Sequence, residues 1–253
     1  MTDVVVLAGG AKPSALTEAQ QVDNKAFIKI HGRFMLSYVL DALKQAEGIG
    51  RIAVVGPKAR LEEEISGEKI ILVEEGKNLV ENMERGFVAL KPQKHFLICS
   101  SDVPFLTAEA VEDLLQSCAG QKDFYYPIVS RKDNELRFPG VKRTYVKLKE
   151  GEFTGGNLFL VSPHCLKTML PRLEEIYALR KSPLRLAAVF GIVFIIKFFT
   201  RQLSIAELEA RFEDLFGLTG KAVISRYPEI GTDVDKISDL LLAERLLVPR
   251  EPL

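Results

Sequence analysis

The sequence contains no tryptophan, three histidines and three cysteines among its 253 residues. The cysteines are far apart, odd in number and not spaced as C-x-x-C, so the pattern argues against a zinc site and favours free thiols in a reducing compartment. The first residues lack the basic segment and the long apolar segment of a signal peptide. We therefore expect a cytoplasmic protein.

A charge excess is also absent, because 34 Lys and Arg residues balance 34 Asp and Glu residues. Nucleic-acid-binding surfaces are strongly basic, so the balance argues against nucleic acid as the main partner. Neither of the two common phosphate-binding motifs, G-x-G-x-x-G and G-x-x-x-x-G-K-[ST], occurs. The longest apolar stretch, residues 186–199, is too short to span a bilayer comfortably and contains Lys197.

The first thirty residues contain the most informative pattern. Residues 4–7 (VVVL) form a β-branched run that predicts a buried strand, and Ala8, Gly9 and Gly10 follow directly. A glycine turn after such a strand lets phosphate oxygens approach the backbone N–H groups, and Lys12 and Lys25 add positive charge nearby. A simple strand-ending turn is the alternative for the glycine pair alone.

Strand and helix patterns alternate along most of the chain. Strands are predicted at 51–57, 70–73, 96–100, 123–129 and 221–224, and helices near 35–46, 61–66, 78–90, 107–115, 163–180 and 204–217. This alternation is typical of an α/β fold with a mostly parallel sheet. Residues 131–143 are polar and contain glycine and proline, which predicts a loop, and residues 143–148 alternate as in a β-ribbon.

Acidic residues follow a central strand and recur near the end of the chain. Asp102 lies in S-D-V-P-F-L, directly after strand 96–100, where parallel sheets bind ligands, although a turn-forming aspartate is the alternative. Asp233 and Asp235 lie in G-T-D-V-D-K-I-S-D-L, which leads into a terminal helix. A second glycine pair, Gly155 and Gly156, precedes another apolar strand and indicates either a close backbone approach or a β-bulge.

These segments together resemble the MobA-like nucleotidyltransferases, a family with a glycosyltransferase-A-like fold. The resemblance rests on L-A-G-G at 7–10, on Lys25, on S-D-V-P-F-L and on the closing D-V-D-x-x-x-D-L. It implies a three-layer α/β/α Rossmann-like nucleotide-diphospho-sugar transferase fold. It also implies one NTP-transferase domain over residues 1–253, in which a helical apolar insertion occupies about 180–217.

The activity that the resemblance implies is Mg²⁺-dependent transfer of a nucleoside monophosphate, from GTP or CTP, to a phosphorylated small-molecule acceptor. The molybdenum cofactor guanylyl- or cytidylyltransferases are the implied type. A sugar- or alcohol-phosphate nucleotidyltransferase that takes an apolar acceptor is a second interpretation. A non-catalytic nucleotide-binding module is a third, because Ser14 stands where many members have an arginine.

Site residues are carried over from the family by position. The catalytic residues are Lys25 and Asp102. The nucleotide-binding residues are Leu7, Ala8, Gly9, Gly10, Lys12, Lys25 and, near the base, Gly76, Asn78 and Asn82, although Asn78 is also a plausible helix cap. The magnesium ligands are Asp102, Asp235 and, as the second match, Asp233. The acceptor-binding residues are Gly155, Gly156 and Asn157.

Residues 186–199 predict a helix that is apolar on every side. A buried core helix would cover Val189, Ile192, Val193 and Ile196 on one face and Phe190, Phe194 and Phe198 on the other. Such a helix is stable in water only when it is surrounded, and a flanked sheet leaves little surface to surround it. We therefore expect part of it to be exposed and to contact a second subunit, a peripheral membrane surface or an apolar acceptor.

Overall fold

The computed structural model describes residues 1–10, 13–118, 120–179 and 191–247, so Lys12 and residues 186–190 lie outside the described part. The strands are β1 (Thr2–Leu7), β2 (Lys29–Ile30), β3 (Arg33–Phe34), β4 (Ile49–Gly56), β5 (Ile70–Glu74), β6 (Phe96–Ser100), β7 (Phe124–Ser130), β8 (Val146–Leu148), β9 (Gly151–Gly155), β10 (Leu158–Val161) and β11 (Gly220–Ser225). The helices are α1 (Ala15–Ala19), α2 (Met35–Gln45), α3 (Lys58–Glu64), α4 (Leu79–Leu90), α5 (Ala108–Ser117), α6 (Arg131–Arg137), α7 (Pro163–Leu179), α8 (Ile192–Phe199), α9 (Ile205–Phe216) and α10 (Ile237–Leu246).

One large sheet organises the described residues. Its strand order is β5-β4-β1-β6-β10-β7-β9-β8, and β11 pairs with β7. Strands β5, β4, β1 and β6 are parallel, with Val6 of β1 opposite Val54 on one side and Cys99 on the other. This confirms the predicted α/β fold with a mostly parallel sheet.

The second half of the sheet contains antiparallel strands that the sequence pattern did not specify. Strand β10 runs antiparallel to both β6 and β7, and β9 is antiparallel to both β7 and β8. Strand β11 pairs in parallel with β7 over six residues, so the chain returns to the same sheet after α8 and α9. The backbone that carries Gly155 and Gly156 connects β9 to β10 in the middle of this region.

Helices cover both faces of the sheet. The apolar faces of α2 and α5 pack on one side against β1, β4 and β6, through side chains such as Leu36, Val39 and Val111. On the other side α4 and α7 supply Met83, Leu90 and Leu166. The side chains of alternate strand residues point to opposite faces, so the β-branched run of β1 fills both layers of the core. The result is the predicted α/β/α arrangement.

The prediction of a loop over residues 131–143 is wrong for its first half. Residues Arg131–Arg137 form helix α6, whose N-cap is Ser130 and whose first turn contains Asp133. The Ser130 side chain accepts a hydrogen bond from the Asp133 N–H at 3.1 Å, and this cap stabilises a helix that has few apolar residues. Polarity therefore identified an exposed segment but not its conformation.

Helix α8 is the described part of the apolar stretch, and it is partly exposed, as expected. The exposed fractions are 64% for Val193 and 55% for Ile196, whereas Phe194 packs against a cluster that contains Ile128 and Leu148. The phenylalanine face is therefore the more covered one, although Phe198 is 39% exposed. Within the described residues, no helix has both the length and the apolarity needed to cross a membrane.

A single ion pair explains why a lysine interrupts this apolar helix. Lys197 of α8 donates to Glu207, which also accepts the Ser204 N–H in the capping box of α9. The hydrogen bond from Lys197, together with those from Ser204, lowers the pKa of Glu207 to about 2. Lys197 thus links α8 to α9 through this ion pair.

Candidate active site

The glycine turn lies at the carboxyl end of β1, as predicted. The Ala8 N–H still donates to Val55 of β4, and the chain leaves the sheet at Gly9. A Cβ at Gly9 would lie 2.5 Å from Glu75 Oε2 and 2.7 Å from Asn82 Nδ2, so only glycine fits there. The Gly10 N–H donates to Glu75 Oε2 at 2.6 Å. The Glu75 carboxylate therefore accepts a backbone hydrogen bond that the turn was expected to donate to phosphate.

Lys25 is held beside this turn by Asn24. The buried Asn24 side chain donates to the Ala8 carbonyl at 2.7 Å and accepts the Ala26 N–H at 2.9 Å. The second bond caps the short 3₁₀ helix Lys25–Phe27. Two hydrogen bonds from one amide therefore fix the distance between the glycine turn and the lysine, which are 15 residues apart in sequence.

Asp102 follows β6 and lies beside Lys25. The Lys25 Nζ is 3.4 Å from Asp102 Oδ2 and also donates to Asp235 Oδ1. Ser100, the last residue of β6, donates its hydroxyl to Asp102 Oδ1. One carboxylate oxygen is thus oriented by the strand end, and the other faces the lysine.

A backbone hydrogen bond of Val234, the residue between them, holds Asp233 and Asp235 close to Asp102. The Val234 N–H donates to the Asp102 carbonyl at 2.9 Å, so residues 233–235 are tied to the loop that carries Asp102. Asp239 accepts the N–H groups of Asp235 and Lys236 at 3.1 and 3.0 Å, which fixes the turn that leads into α10. Asp233 and Asp235 therefore lie close to Asp102 in space although they are distant from it in sequence.

Arg143 completes the cluster, and it belongs to the segment that was predicted as a loop over the site. Its guanidinium forms an ion pair with Asp233 and donates to the Gly231 carbonyl. The side chain is only 10% exposed, so this pair is largely shielded from water. Charge pairing of a buried carboxylate with Arg is common, but the sequence alone did not indicate which carboxylate it would meet.

The charges in the cluster shift the pKa values of three groups. Burial favours the uncharged amine, but the three surrounding carboxylates outweigh it, so the pKa of Lys25 lies above its ordinary value. Burial raises the pKa of Asp233 to about 6, although Arg143 opposes the shift. Burial acts in the same direction on Asp235, but the hydrogen bond from Lys25 outweighs it and the pKa is lowered.

The three aspartates have the arrangement of a cation site. Asp102, Asp233 and Asp235 each offer one carboxylate oxygen, and these oxygens all lie within 4.8 Å of one another. Hard divalent cations such as Mg²⁺ bind oxygen ligands of this kind and use one or two carboxylates together with substrate phosphates. Asp233 is paired with Arg143, whereas Asp102 and Asp235 share the single charge of Lys25, so these two carboxylates keep a net negative charge that can hold a cation. The residues therefore fit magnesium.

A cavity of about 400 Å³ opens beside this cluster. Its lining includes Leu7, Gly9, Gly10, Asn24, Lys25, Ser100, Asp102, Gly156 and Asn157, together with the apolar side chains of Leu79, Met83, Tyr126 and Phe159. The lining thus divides into polar or charged groups and apolar side chains. A small ligand with a charged group and an apolar or aromatic group matches this division.

The residues expected near a nucleobase have structural roles. Asn78 caps α4 by accepting the Glu81 N–H at 2.9 Å, and buried Asn82 accepts the Gly76 N–H at 2.6 Å. Gly76 fits closely against Glu81. Gly76, Asn78 and Asn82 are not among the described residues that line the cavity. Leu79 and Met83, one turn apart on α4, do line it.

The second glycine pair has a packing role as well. At Gly155 a Cβ would collide with the Tyr126 hydroxyl, and at Gly156 it would lie 2.7 Å from Ile230 Cγ2. The Asn157 N–H donates to Ile230 and its carbonyl accepts the Ser100 N–H, at 2.8 and 2.9 Å. The close approach is thus to the protein itself, and Gly156 and Asn157 still face the cavity.

Several residues of the site carried no sequence signal that distinguished them. Asn24, Arg143 and Glu75 act through contacts with residues that are distant in sequence, Ser100 is an ordinary strand-end serine, and Tyr126 and Phe159 follow ordinary strand alternation. Asn24 alone offered a local cue, since an Asn before a helical turn is a typical N-cap. Lys12, one of the predicted phosphate-binding residues, lies outside the described residues.

Residues 4–186 match the family model described as the MobA-like NTP transferase domain. A hypothetical transferase from Thermus thermophilus is 37% identical, with a TM-score of 0.83 over 94% of this chain and 99% of that one. The 4-diphosphocytidyl-2C-methyl-D-erythritol synthase of Anaerococcus prevotii is 15% identical, with a TM-score of 0.59 over 97% and 95%. A CMP:2-keto-3-deoxy-manno-octonic acid synthetase complexed with CTP is 14% identical, with a TM-score of 0.58 over 98% of both chains. No curated protein is significantly similar in sequence.

Proposed function

We propose, from the premise that the chain belongs to the MobA-like NTP transferase family, that it transfers a nucleoside monophosphate from an NTP to a phosphorylated small-molecule acceptor. GTP or CTP is the proposed donor and pyrophosphate is the second product. The observation that carries the proposal is the meeting of Lys25 with Asp102 and Asp235 beside the glycine turn. Nothing in this arrangement resembles a nucleophile and base pair, which this reaction does not need.

The proposed reaction is an in-line displacement at phosphorus. A phosphate oxygen of the acceptor forms a bond to the α-phosphorus of the NTP, and the bond from that phosphorus to the bridging oxygen of the β-phosphate breaks. Pyrophosphate leaves with the electron pair. The acceptor phosphate is already an anion near neutral pH, so the protein has to align two negatively charged groups and balance their charge.

Each residue of the cluster has a role in that alignment. Lys25 contributes a positive point charge, which Asn24 holds at a fixed position relative to the turn. The glycine turn lines the cavity, and its Gly10 N–H becomes a donor for phosphate once phosphate displaces the Glu75 carboxylate. Asp102 and Asp235 are the residues that would hold Mg²⁺, which supplies neutralisation of phosphate charge when it is bound. Arg143 keeps the third carboxylate, Asp233, from repelling the substrate.

The acceptor is the finer part of the proposal. A molybdenum cofactor type of acceptor follows from the family, whereas the apolar residues in the cavity lining favour a sugar- or alcohol-phosphate with an apolar part. Asn157, at the wall of the cavity opposite the glycine turn, remains the proposed acceptor-binding side chain. A catalytically inactive nucleotide-binding module is the competing function from another class.

Pyrophosphate release tests the proposal directly. The purified chain is incubated with each of the four NTPs, Mg²⁺ and a panel of sugar, polyol and alkyl phosphates, and products are identified by mass. Acceptor-dependent pyrophosphate release and a nucleotide-containing product are expected for at least one pair. Tight nucleotide binding without pyrophosphate release for any acceptor would instead favour the non-catalytic module.

A further inference from the structure

A second cavity, of about 390 Å³, adjoins the first on the same face of the sheet. It lies between helices α8 and α9 and the strands β7, β8, β9 and β11. The walls are aromatic and aliphatic, with Phe124, Ile128, Phe194, Leu208 and Phe212 as the main contributors. Nothing in the proposed chemistry of phosphate transfer uses this cavity.

Tyr126 connects the two cavities, because it lines both of them. Its ring lies 6.5 Å from that of Phe159 in the first cavity and stacks at 6.0 Å on that of Phe124 in the second. The Phe124 ring in turn stacks on Phe212 at 5.4 Å. A continuous row of aromatic rings therefore runs from the first cavity into the second.

The charged side chains of the second cavity are already paired. Glu209 and Lys221, the charged residues in its lining, form an ion pair at 3.4 Å. Lys197 is turned to Glu207 on the adjacent helix. Among the described residues, the lining thus presents no unpaired charge to a ligand, so an apolar chain gains free energy there whereas a charged group loses hydration.

We propose that the second cavity holds the apolar part of the acceptor, whose phosphate lies beside Asp102 and Lys25 in the first. This rests on the proposed nucleotidyl transfer and names its substrate class: a phosphate monoester of an alcohol with a hydrocarbon chain. Tyr126 is the specificity-determining residue, because the chain must pass its ring to reach the second cavity. The Lys197–Glu207 pair keeps α8 in place as one wall.

Binding of simple alkyl phosphates to the full chain tests the proposal. Methyl, butyl and octyl phosphate are titrated by calorimetry, below the concentration at which octyl phosphate forms micelles. Burial of each methylene is worth about 0.8 kcal/mol, so affinity should rise up to about fourfold per added carbon. The same compounds are then compared as acceptors in pyrophosphate release.

Two variants test whether the hydrocarbon chain of the acceptor occupies the second cavity. Ala222→Phe fills the second cavity from β11, and its matched control Ala89→Phe places the same side chain on α4, away from both cavities. Leu208→Gln keeps the size of a lining residue but removes its apolar character. Circular dichroism and thermal unfolding verify that each variant is folded. Ala222→Phe and Leu208→Gln should lose the dependence on chain length and keep the affinity for methyl phosphate.

The outcomes separate this inference from the proposed function. Pyrophosphate release that does not depend on chain length overturns the inference and leaves nucleotidyl transfer intact. The inference is also overturned if affinity still rises with alkyl chain length in Ala222→Phe, because the alkyl chain then binds outside the second cavity. A wild-type dimer that Ala222→Phe dissociates would show that a second copy fills the cavity, which contradicts the proposal. Chain-length-dependent binding without any nucleotide turnover would contradict the proposed function alone.

Discussion

At the scale of single residues, the site is a balance of charges that is set before any ligand binds. Lys25 lies between Asp102 and Asp235, and Arg143 neutralises Asp233. Lys25 and the aspartates could be proposed from the sequence, because they lie in motifs that resemble those of the family. Arg143, Asn24 and Glu75 could not, since their roles depend on contacts across 16 to 90 residues that no local pattern encodes.

Asp102→Asn should abolish most of the Mg²⁺-dependent activity and leave the fold intact. The amide keeps the shape of the side chain but removes the charge that would hold the cation, and loss of comparable electrostatic groups costs about a hundredfold or more in rate. Steady-state kinetics over a range of Mg²⁺ concentrations measures the change. Asp214→Asn, on the exposed surface of α9, is the control. Unchanged activity in Asp102→Asn would make Asp102 a turn residue.

Glu75→Gln should strengthen nucleotide binding. Glu75 accepts the Gly10 N–H at 2.6 Å, so its carboxylate competes with phosphate for a donor of the turn and repels it. A neutral amide removes the repulsion and is a weaker acceptor, which predicts a severalfold lower Kd, measured by calorimetry with GTP and CTP. Glu84→Gln, an exposed substitution on α4, is the control. A higher Kd in Glu75→Gln would indicate instead that this carboxylate contacts the nucleotide directly.

At the scale of secondary-structure elements, the parallel strands were predictable and the antiparallel ones were not. A buried parallel strand reads as a continuous apolar run, as in β1, β4 and β6. The direction of β10 depends on the length and path of the chain between β7 and α7, which apolar patterning does not report. Helix α6 was missed because capping by Ser130, rather than an apolar face, stabilises it. The Lys197–Glu207 pair, which links α8 to α9, likewise has no local pattern that predicts it.

Gly86→Ala should destabilise the protein even though alanine favours helices. Gly86 lies in the middle of α4, where a Cβ would collide with Val5 of β1 and come 3.1 Å from Val55 Cγ2. The gain in helix propensity is about 1 kcal/mol. Overpacking in a core costs about 1–3 kcal/mol, and both contacts are backbone-anchored β-branched side chains, so we expect a net loss. Urea unfolding measures it, with exposed Val88→Ala as control; a gain in stability would contradict the tight packing.

At the scale of the whole molecule, one sheet brings together segments from both ends of the chain. The glycine turn follows β1, Asp102 follows β6, and the last aspartates precede α10, yet all meet at one edge: the carboxyl ends of parallel strands lie together, and the Val234 N–H, which donates to the Asp102 carbonyl, holds the last aspartates there. Strand β11 returns to this sheet after the apolar helix. We propose that the described residues form one NTP-transferase domain in which α8 and α9 are the described part of the helical insertion.

The reactivity of the three cysteines reports whether the core of the protein opens locally. Cys99, Cys118 and Cys165 are free and buried in the core, and burial raises the pKa values of Cys118 and Cys165 to about 12 and that of Cys99 further. Since the thiolate is the reactive form, none should react with a disulfide reagent at pH 8 on the timescale of minutes. All three should react at once in denaturant. Rapid reaction of one thiol in the native protein would reveal local opening around it.

The central claim is that the cluster of Lys25 and the aspartates binds a nucleoside triphosphate together with Mg²⁺. Thermal unfolding of the wild type and of Asp102→Asn, with each of the four NTPs and with or without Mg²⁺, tests it most directly. A ligand at a hundred times its Kd stabilises by about 2.7 kcal/mol, which corresponds to a Tm rise of several degrees for a chain of this size. The account predicts such a rise for GTP or CTP with Mg²⁺ in the wild type, and its loss in Asp102→Asn. No rise for any NTP, or an equal rise in Asp102→Asn, would contradict it.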